Sequence, residues 1–366
     1  MDISMNRRDL IRGLAGGAIG LALGPIALAQ VGPPPGKIAL RFNENPYGPS
    51  PAARKAAFEA VNYGAYYADA VETSLRRGLA ELNRVSGDSL VISSGSNEAL
   101  QAAFTAWGKK GRILMPGLTY DAHVGYAKRM GVEIVTVPLA DDLSIDLDKM
   151  EATIDDDTSL VFICNPNNPT GHILDNDRLR DFCKSVSKRA TVLIDEAYNE
   201  VTENPAETTL VDLVRDGENV IVTRTFSKVF GMAGMRVGYA MARPDLTRQI
   251  AGHVMAWANG PGLAAANACY NDDEFINFSR AKIFEAREIV TSTFRRHGVK
   301  PITSQSNFMF ADIGRNGNEF RQQMAERGVL IQGRYNGYPN YIRVSMGRIE
   351  DVEVFSRVFT EVFEAA

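Results

Sequence analysis

The middle of this 366-residue chain alternates short apolar runs with amphipathic stretches, and this alternation limits its possible folds more than any other feature. The runs are rich in β-branched residues and too short for helices, so they predict buried strands. They lie at residues 90–93, 112–115, 133–137, 159–163, 191–194, 219–223 and 237–241. Helical stretches between them include residues 97–107, 120–130 and 175–188. Strands alternating with helices predict an α/β fold, with a mostly parallel seven-stranded sheet flanked by helices.

The loops that follow the predicted strands should meet at one edge of the sheet. Crossovers between parallel strands are right-handed, so their loops share an edge, and ligands usually bind there. After residue 259 the pattern changes to strands and helices in mixed order. These elements are a helix at 273–296, a strand at 307–312, a helix at 318–326, strands at 329–332 and 341–345, and a final helix. They predict a second, smaller α+β domain.

The first thirty residues have the features of an export signal. Arg7 and Arg8 are followed by residues 13–29, which carry no charge. This run of about seventeen residues is short for a membrane span and ends in a small-x-small cleavage site. The arginine pair is typical of a twin-arginine signal. We predict export to the periplasm, cleavage after Ala29 and no stable membrane association afterwards. A plain secretory signal, an uncleaved anchor and a cytoplasmic protein stay open.

Four parts of the chain follow from these patterns. We expect a cleavable signal peptide at residues 1–29 and an N-terminal arm with part of the small domain at 30–64. A large domain follows at residues 65–258, and the remainder of the small domain occupies residues 259–366.

Charge and cysteine content argue against several classes of function. The chain has 40 basic and 44 acidic residues, a formal net charge of −4, and its basic residues are scattered. Nothing therefore favours a nucleic-acid partner. The three cysteines, Cys164, Cys183 and Cys269, form no CxxC pair, and the four histidines lie far apart. We predict no metal site and no disulfide framework.

Three polar motifs follow predicted strands in the large domain. Asn168 lies in an Asn-Pro-Asn-Asn-Pro-Thr-Gly turn, and Asp195 and Tyr198 follow the next strand. Lys228 lies in the loop between the last two strands. A lysine among hydroxyl and apolar neighbours can be desolvated, which lowers its pKa and frees the amine for Schiff-base chemistry. Taken singly, Lys228 could be a surface lysine and Asp195 a helix cap or surface acid.

Residues near this lysine offer groups that bind phosphate. Thr225 and Ser227 carry hydroxyls, and Arg236 carries a fork of N–H donors. Together with the preceding motifs, this loop resembles that of fold-type-I pyridoxal-phosphate enzymes, the aspartate aminotransferase superfamily. The resemblance covers about residues 36–366. Motifs at residues 43–50, 67–69, 95–98 and 341–347 resemble histidinol-phosphate aminotransferases within that superfamily.

The resemblance implies a role for each residue that matches the cofactor motifs. Lys228 would bind pyridoxal 5′-phosphate as a Schiff base and then move a proton on the substrate, with Asp195 and Tyr198 as the other catalytic residues. Asp195 would keep the pyridine nitrogen protonated, so that the ring can take up charge. Asn168 and Tyr198 would bond the ring's 3′-oxygen, and Tyr120 would stack on its face.

The resemblance also implies how the cofactor phosphate is held. Backbone N–H groups of Ser96 and Asn97, where a turn enters a helix, would donate to it. Side chains of Thr225, Ser227 and Arg236 would add contacts. Tyr67 would reach the phosphate of the neighbouring subunit, which implies a homodimer with shared active sites. Tyr67 and Tyr120 could instead be core aromatics, and Ser96 and Asn97 could only cap a helix.

Substrate binding is assigned by the same resemblance. Arg343 would clamp the substrate α-carboxylate with two parallel bonds, unless it is a surface strand residue. Asn45 and Tyr47 of the arm are further candidates. The family usually places an arginine for the substrate's phosphate where this chain has Gln332, and Arg334 is two residues on. Alternate residues of a strand share a face, so Arg334 is the candidate substitute.

We therefore predict a transaminase that moves an amino group between an amino donor and a keto acid. The donor is an amino acid or an amino-alcohol phosphate such as histidinol phosphate. A lyase, decarboxylase or racemase with the same cofactor stays open, because fold and cofactor do not decide which bond breaks. A non-enzymatic regulator is disfavoured, because the sequence has no basic helix-turn-helix segment.

Overall fold

The computed structural model describes residues 32–365, of which those from Lys37 onward belong to one compact unit. The signal peptide predicted at residues 1–29 lies outside the described residues and stays a prediction. Within the described part of the chain, no helix is long and apolar enough to cross a membrane.

Strands and helices alternate through most of the unit. The strands are β1 (Ile38–Ala39), β2 (Leu90–Ser93), β3 (Arg112–Pro116), β4 (Ile134–Val137), β5 (Thr158–Cys164), β6 (Thr191–Asp195), β7 (Val220–Thr225), β8 (Gly238–Ala242), β9 (Phe308–Asp312), β10 (Val329–Leu330) and β11 (Tyr341–Ser345). The helices are α1 (Pro51–Val61), α2 (Asp69–Asn83), α3 (Ser96–Gly108), α4 (Val124–Arg129), α5 (Leu147–Thr153), α6 (Asn176–Val186), α7 (Pro205–Thr208), α8 (Val211–Arg215), α9 (Pro244–Ala251), α10 (Gly260–Cys269), α11 (Asp273–Arg296), α12 (Gly317–Glu326) and α13 (Ile349–Glu364).

A seven-stranded sheet forms the centre of the unit, in the order β2-β8-β7-β6-β5-β3-β4. The pairs among β4, β3, β5, β6 and β7 are parallel, and only β8 runs antiparallel to its neighbours β7 and β2. Every residue of β6 and β7 is buried, as expected for strands covered by helices on both faces. The predicted mostly parallel α/β sheet is confirmed.

The carboxyl ends of the central strands bring the predicted motifs to one edge. In the register of the sheet, Cys164 of β5 lies beside Asp195 of β6, which lies beside Thr223 of β7. The polar segments that follow these strands therefore begin next to one another, although they are separated by whole helices in the sequence.

Two smaller sheets accompany the central one. Strand β9 pairs antiparallel with β11, and β1 of the arm pairs parallel with β10. Helices α11 and α13 pack together beside them. The arm thus shares a sheet with residues near the C-terminus, as expected if it belongs to the small domain. The exact domain boundaries stay predictions.

Two elements are shorter than predicted. The helix expected at 120–130 is only α4, which begins after His123 without a side-chain capping bond. Tyr120 lies before this helix, and its hydroxyl donates to Asn97 of α3. The strand expected at 329–332 ends with β10 at Leu330, and Gln332 forms an isolated bridge. At Gly333 an added Cβ would lie 2.3 Å from the Gly317 carbonyl oxygen, so this backbone packs tightly against α12.

Candidate active site

A cavity of about 830 Å³ opens at the carboxyl ends of β5, β6 and β7. Most of the residues selected from the sequence line it. They are Ser96, Asn97, Tyr120, Asn168, Asp195, Tyr198, Thr225, Ser227, Lys228, Arg236, Arg334 and Arg343. The structure thus brings residues of the large domain, including the loop after β7, together with Arg334 and with Arg343 of strand β11 around one cavity.

Lys228 presents its amine to this cavity. Its Nζ donates to the Asn43 carbonyl oxygen at 3.2 Å and lies 5.3 Å from the centre of the Tyr198 ring. Burial and, after it, the charge of Arg343 lower the pKa of Lys228 to about 8, although the charge of Asp195 opposes the shift. The neutral, nucleophilic amine is therefore much more accessible than in an exposed lysine.

Asp195 is buried at the end of β6. Thr223 of the neighbouring strand donates its hydroxyl to Asp195 Oδ1 at 3.0 Å, and the Cys164 Sγ lies 4.0 Å from Oδ2. Burial raises the pKa of Asp195 to about 6, which the Thr223 bond and the charge of Lys228 partly oppose. A buried carboxyl in this position is suited to pair with a cationic ring nitrogen, which would hold it ionised.

Tyr198, Asn168 and Arg343 form a connected set. Asn168 Nδ2 donates to the Tyr198 hydroxyl oxygen at 3.3 Å, and its Oδ1 accepts from Arg343 Nη1 at 2.5 Å. The other guanidinium nitrogen, Nη2, donates to the Arg41 carbonyl at 2.8 Å. Burial raises the pKa of Tyr198 above its usual range. Because Tyr198 accepts the Asn168 bond, its own hydroxyl hydrogen can donate into the cavity.

The start of α3 forms a cradle with the loop after β7. Arg236 donates to the Ser227 hydroxyl at 3.3 Å and to the Ser94 carbonyl at 3.3 Å. A Cβ on Gly238 would lie 2.2 Å from the Ser96 nitrogen, so only glycine lets β8 approach the helix this closely. The first N–H groups of a helix lack partners within it, and here they border the cavity. This arrangement suits a phosphate.

Asn43 is a site residue that the sequence reasoning did not single out. It is buried, with a left-handed φ of 57°. Its Nδ2 donates to the Tyr198 hydroxyl at 3.1 Å, and its Oδ1 accepts from Ser345 at 2.8 Å. Its carbonyl accepts from Lys228 at 3.2 Å and from Asn307 at 2.9 Å. Asn43 belongs to the motif at residues 43–50, but the motif led to Asn45, two residues on, as the predicted substrate-binding residue.

Asn45 and Tyr47 do not line the cavity, which corrects their predicted place beside the substrate. Asn45 Nδ2 donates to the Val229 carbonyl at 2.7 Å and to Ser279 Oγ at 3.0 Å. The Tyr47 hydroxyl accepts from the Ile349 backbone N–H at 2.9 Å. Their polar atoms are used to attach the arm to the rest of the chain, so they hold the arm in place.

Tyr67 lies outside the cavity of its own chain. Its side chain is 80% exposed, and its ring meets that of Trp257, 68% exposed, edge-on at 4.8 Å. This exposure argues against the alternative of a core aromatic within the chain, and the predicted role of Tyr67 at the phosphate of a neighbouring subunit stays a prediction.

The segment around Gln332 borders the cavity beside Arg343. The two residues are antiparallel bridge partners, so their side chains point to the same side. Arg334 also lines the cavity, and its Nε donates to Asn318 Oδ1 at 2.8 Å. Glu44 and Tyr335 are further lining residues that the sequence reasoning missed.

Pyridoxal phosphate fits this set of groups. The cavity combines a buried carboxyl, a lysine with a lowered pKa and a cradle of hydroxyl, guanidinium and helix N–H donors. These match the ring nitrogen, the aldehyde and the phosphate of that molecule. Within residues 32–365 no group of three or more histidine, cysteine or acidic residues could hold a metal ion.

Comparisons with known proteins agree with this chemistry. The model of the family "Aminotransferase class I and II" matches residues 35–359. A histidinol-phosphate aminotransferase of Symbiobacterium thermophilum is 34% identical over 90% of each chain, and one of Moorella thermoacetica is 35% identical over 89% of this chain and 85% of its own length. The crystal structure of histidinol-phosphate aminotransferase from Sinorhizobium meliloti in complex with pyridoxal-5′-phosphate superposes with a TM-score of 0.83 at 25% identity, covering 90% of this chain and 91% of that one.

These matches confirm the predicted fold type, the predicted transaminase and its cofactor, pyridoxal phosphate. The match covers nearly all of the chain outside the first 34 residues. The chain belongs to the aminotransferase class I and II family.

Proposed function

We propose that this aminotransferase moves an amino group between a keto acid and an amino donor, either an α-amino acid or an amino-alcohol phosphate such as histidinol phosphate. The observation that carries the proposal is the position of Lys228, Asp195 and Arg343 around one cavity. The first two residues suit the cofactor, and the third suits a substrate carboxylate.

Nine residues besides Lys228 would hold the cofactor in this cavity. When bound, pyridoxal phosphate supplies an electron sink for the negative charge that develops at the substrate α-carbon. Asp195 would bind the ring nitrogen, Asn168 and Tyr198 the 3′-oxygen, and Tyr120 the ring face. The cradle for the phosphate consists of Ser96, Asn97, Thr225, Ser227 and Arg236.

Lys228 has the properties of a group that gives and takes a proton. Its lowered pKa places the neutral and protonated amine close in free energy near pH 8. Arg343 would orient an α-carboxylate through its guanidinium fork, and its bond to Asn168 ties that orientation to the ring contacts. Orientation at the α-carbon decides which bond breaks, and a clamp at Arg343 would fix that orientation for an α-amino carboxylate.

The test uses single half-reactions. Cofactor-loaded protein mixed with an amino donor, without a keto acid, should change the cofactor absorption spectrum and release one equivalent of keto product. A keto acid added afterwards should restore the starting spectrum. Release of CO₂ or of the opposite enantiomer, without a keto-acid acceptor, would instead favour a decarboxylase or racemase. Lys228→Ala serves as the control that binds cofactor without turnover.

We further propose a homodimer in which Tyr67 reaches the cofactor phosphate of the partner. Large apolar side chains exposed around it support this, since such patches are typical of interfaces. They are Phe58, Val61, Tyr63, Tyr66, Met255 and Trp257. Light scattering should give twice the chain mass, and Tyr67→Phe should weaken cofactor affinity without changing that mass. A monomer with full activity would contradict the proposal.

Export by the twin-arginine route is proposed from Arg7 and Arg8 at the start of an uncharged run. That route carries folded proteins, so the cofactor would be loaded before transfer. Replacing both arginines by lysine should leave the precursor inside the cell, as judged by fractionation. Unchanged periplasmic protein would contradict the route, while a cut elsewhere than after Ala29 would contradict only the predicted cleavage site.

A further inference from the structure

Two side-chain pairs join the ends of strands β6 and β7, one on each face of the sheet. Asp195 lies beside Thr223 in the register, and the Thr223 hydroxyl donates to Asp195 Oδ1 at 3.0 Å. The next residue along each segment, Glu196 and Arg224, forms an ion pair. Successive residues of a strand point to opposite faces. The ion pair therefore lies on the face away from the cofactor cavity, and neither of its residues lines that cavity.

The ion pair is buried and fixed by several hydrogen bonds. Glu196 is 1% exposed and Arg224 is 9% exposed. Glu196 Oε2 accepts from Arg224 Nε at 3.1 Å and from Nη2 at 2.9 Å, and the Thr209 hydroxyl donates to the same oxygen at 2.9 Å. Glu196 Oε1 accepts from the Leu210 backbone N–H at 2.6 Å. Both carboxylate oxygens thus have partners within the chain and need none from a ligand.

A second carboxylate, that of Glu200, faces the same guanidinium group. Its Oε1 lies 3.8 Å from Arg224 Nη1, and its Oε2 is buried without a hydrogen-bond partner among residues 32–365. Burial raises the pKa of Glu200 to about 7, and the charge of Arg224 opposes this shift. Arg224 therefore keeps a carboxylate neighbour even when Glu196 is replaced by a neutral residue.

The position of the ion pair is directly behind Asp195. The Glu196 backbone N–H donates to the Thr223 carbonyl at 2.9 Å, which fixes the end of β6 one residue after Asp195. Burying two charges is costly, and apolar residues of similar volume often give equal or greater stability. Stability of the sheet alone therefore does not explain why a buried ion pair lies at this point.

We propose that Glu196 and Arg224 are positioning residues, which hold the Asp195 carboxyl where the cofactor ring nitrogen binds. They touch neither cofactor nor substrate and act through Asp195 from the opposite face of the sheet. The proposal rests on the proposed role of Asp195 and adds the residues on which that role depends.

The experiment compares two molecules that differ only at the ring nitrogen. The full chain, freed of cofactor, is titrated by fluorescence with pyridoxal phosphate and with its deaza analogue, in which a C–H group replaces the ring nitrogen. The wild type should bind pyridoxal phosphate more tightly, because only its nitrogen can pair with Asp195. We call the quotient of the two affinities the nitrogen preference. Asp195→Asn gives its value when that pairing is lost.

Two variants change the ion pair without leaving a lone buried charge. Glu196→Gln keeps Glu200 as a carboxylate neighbour of Arg224. Arg224→Lys keeps the positive charge, but an ammonium group cannot make the parallel Nε and Nη2 bonds of a guanidinium. Each variant should reduce the nitrogen preference about tenfold, the loss expected for one charge-assisted contact.

Asp212→Asn is the matched control, because it weakens another arginine–carboxylate pair. Both oxygens of Asp212 accept from Arg180 Nη1, at 3.1 and 3.0 Å, and these two residues lie on α8 and α6, outside β6 and β7. Asp212→Asn should keep the wild-type nitrogen preference. A merely structural role of Glu196 and Arg224 would weaken binding of both molecules equally and would also keep that preference.

An unchanged nitrogen preference in Glu196→Gln and Arg224→Lys, with unaltered circular dichroism, would overturn the positioning role. If either variant fails to fold, the double variant Glu196→Leu/Arg224→Met takes its place, because it removes both buried charges together. Equal affinity of the wild type for the two molecules would reject the role of Asp195 and with it the positioning. Neither result bears on transamination, which the half-reaction with an amino donor tests separately.

Discussion

Replacement of Asn43 by alanine should destabilise the chain, because this residue connects three segments at the active site. Its side chain makes two buried hydrogen bonds, one to the Tyr198 hydroxyl and one from the Ser345 hydroxyl. Each such bond contributes about 1 kcal/mol net. Alanine at a φ of 57° costs roughly 1 kcal/mol more, because its Cβ crowds the backbone in the left-handed region. The expected loss is about 3 kcal/mol.

Glycine at the same position separates the two contributions. It loses both side-chain bonds but tolerates positive φ, so Asn43→Gly should be about 1 kcal/mol less destabilising than Asn43→Ala. Asn271→Ala is the control: this exposed asparagine has no positive φ, and such surface changes usually stay within about 0.5 kcal/mol.

The assay is urea unfolding of the cofactor-free protein, followed by circular dichroism at one fixed protein concentration, because association shifts apparent stability. Asn43→Ala should also bind pyridoxal phosphate more weakly, since its side chain donates to Tyr198, a proposed ligand of the cofactor's 3′-oxygen. An alanine variant that unfolds at the wild-type urea concentration would refute the reasoning about the hydrogen bonds. Equal stability of the alanine and glycine variants would refute only the predicted cost of alanine at a positive φ.

Three further expectations concern the cofactor site. The rate at which cofactor-free protein binds pyridoxal phosphate covalently should rise with pH through about 8, because the Lys228 amine becomes neutral there; a stopped-flow absorbance profile rising only near pH 10 would contradict the lowered pKa. Thr223→Val removes the hydroxyl that donates to Asp195, so the carboxyl pKa should rise further and cofactor affinity should fall a fewfold, as measured by fluorescence titration; unchanged affinity across pH 5–9 would exclude this effect. Gly238→Ala should abolish phosphate-dependent cofactor binding or folding, because the new Cβ meets the Ser96 nitrogen at 2.2 Å; wild-type cofactor affinity in that variant would show that β8 can move away.

Local sequence patterns determined the architecture of the large domain. Runs of β-branched residues between amphipathic stretches specify buried strands and covering helices. The spacing of apolar residues that distinguishes a strand from a helix lies within a few positions of the sequence, so it can be recognised without the tertiary structure. Lys228, Asp195 and Asn168 could be selected in the same way, since each follows a recognisable strand in a distinctive motif. The patterns failed where local signals were weak, at the short helix α4 and the two-residue strand β10.

Tertiary structure alone decided which distant residues meet. Asn43 lies 185 positions from Lys228, and Arg343 lies 175 positions from Asn168, yet each pair shares a hydrogen bond. Asn45, two residues from Asn43, points away and holds the arm. No periodicity distinguishes these neighbours, because the choice depends on how the arm packs against the rest of the chain. The sequence therefore determines the strands and the reactive lysine, whereas long-range packing determines which polar groups surround that lysine and the substrate.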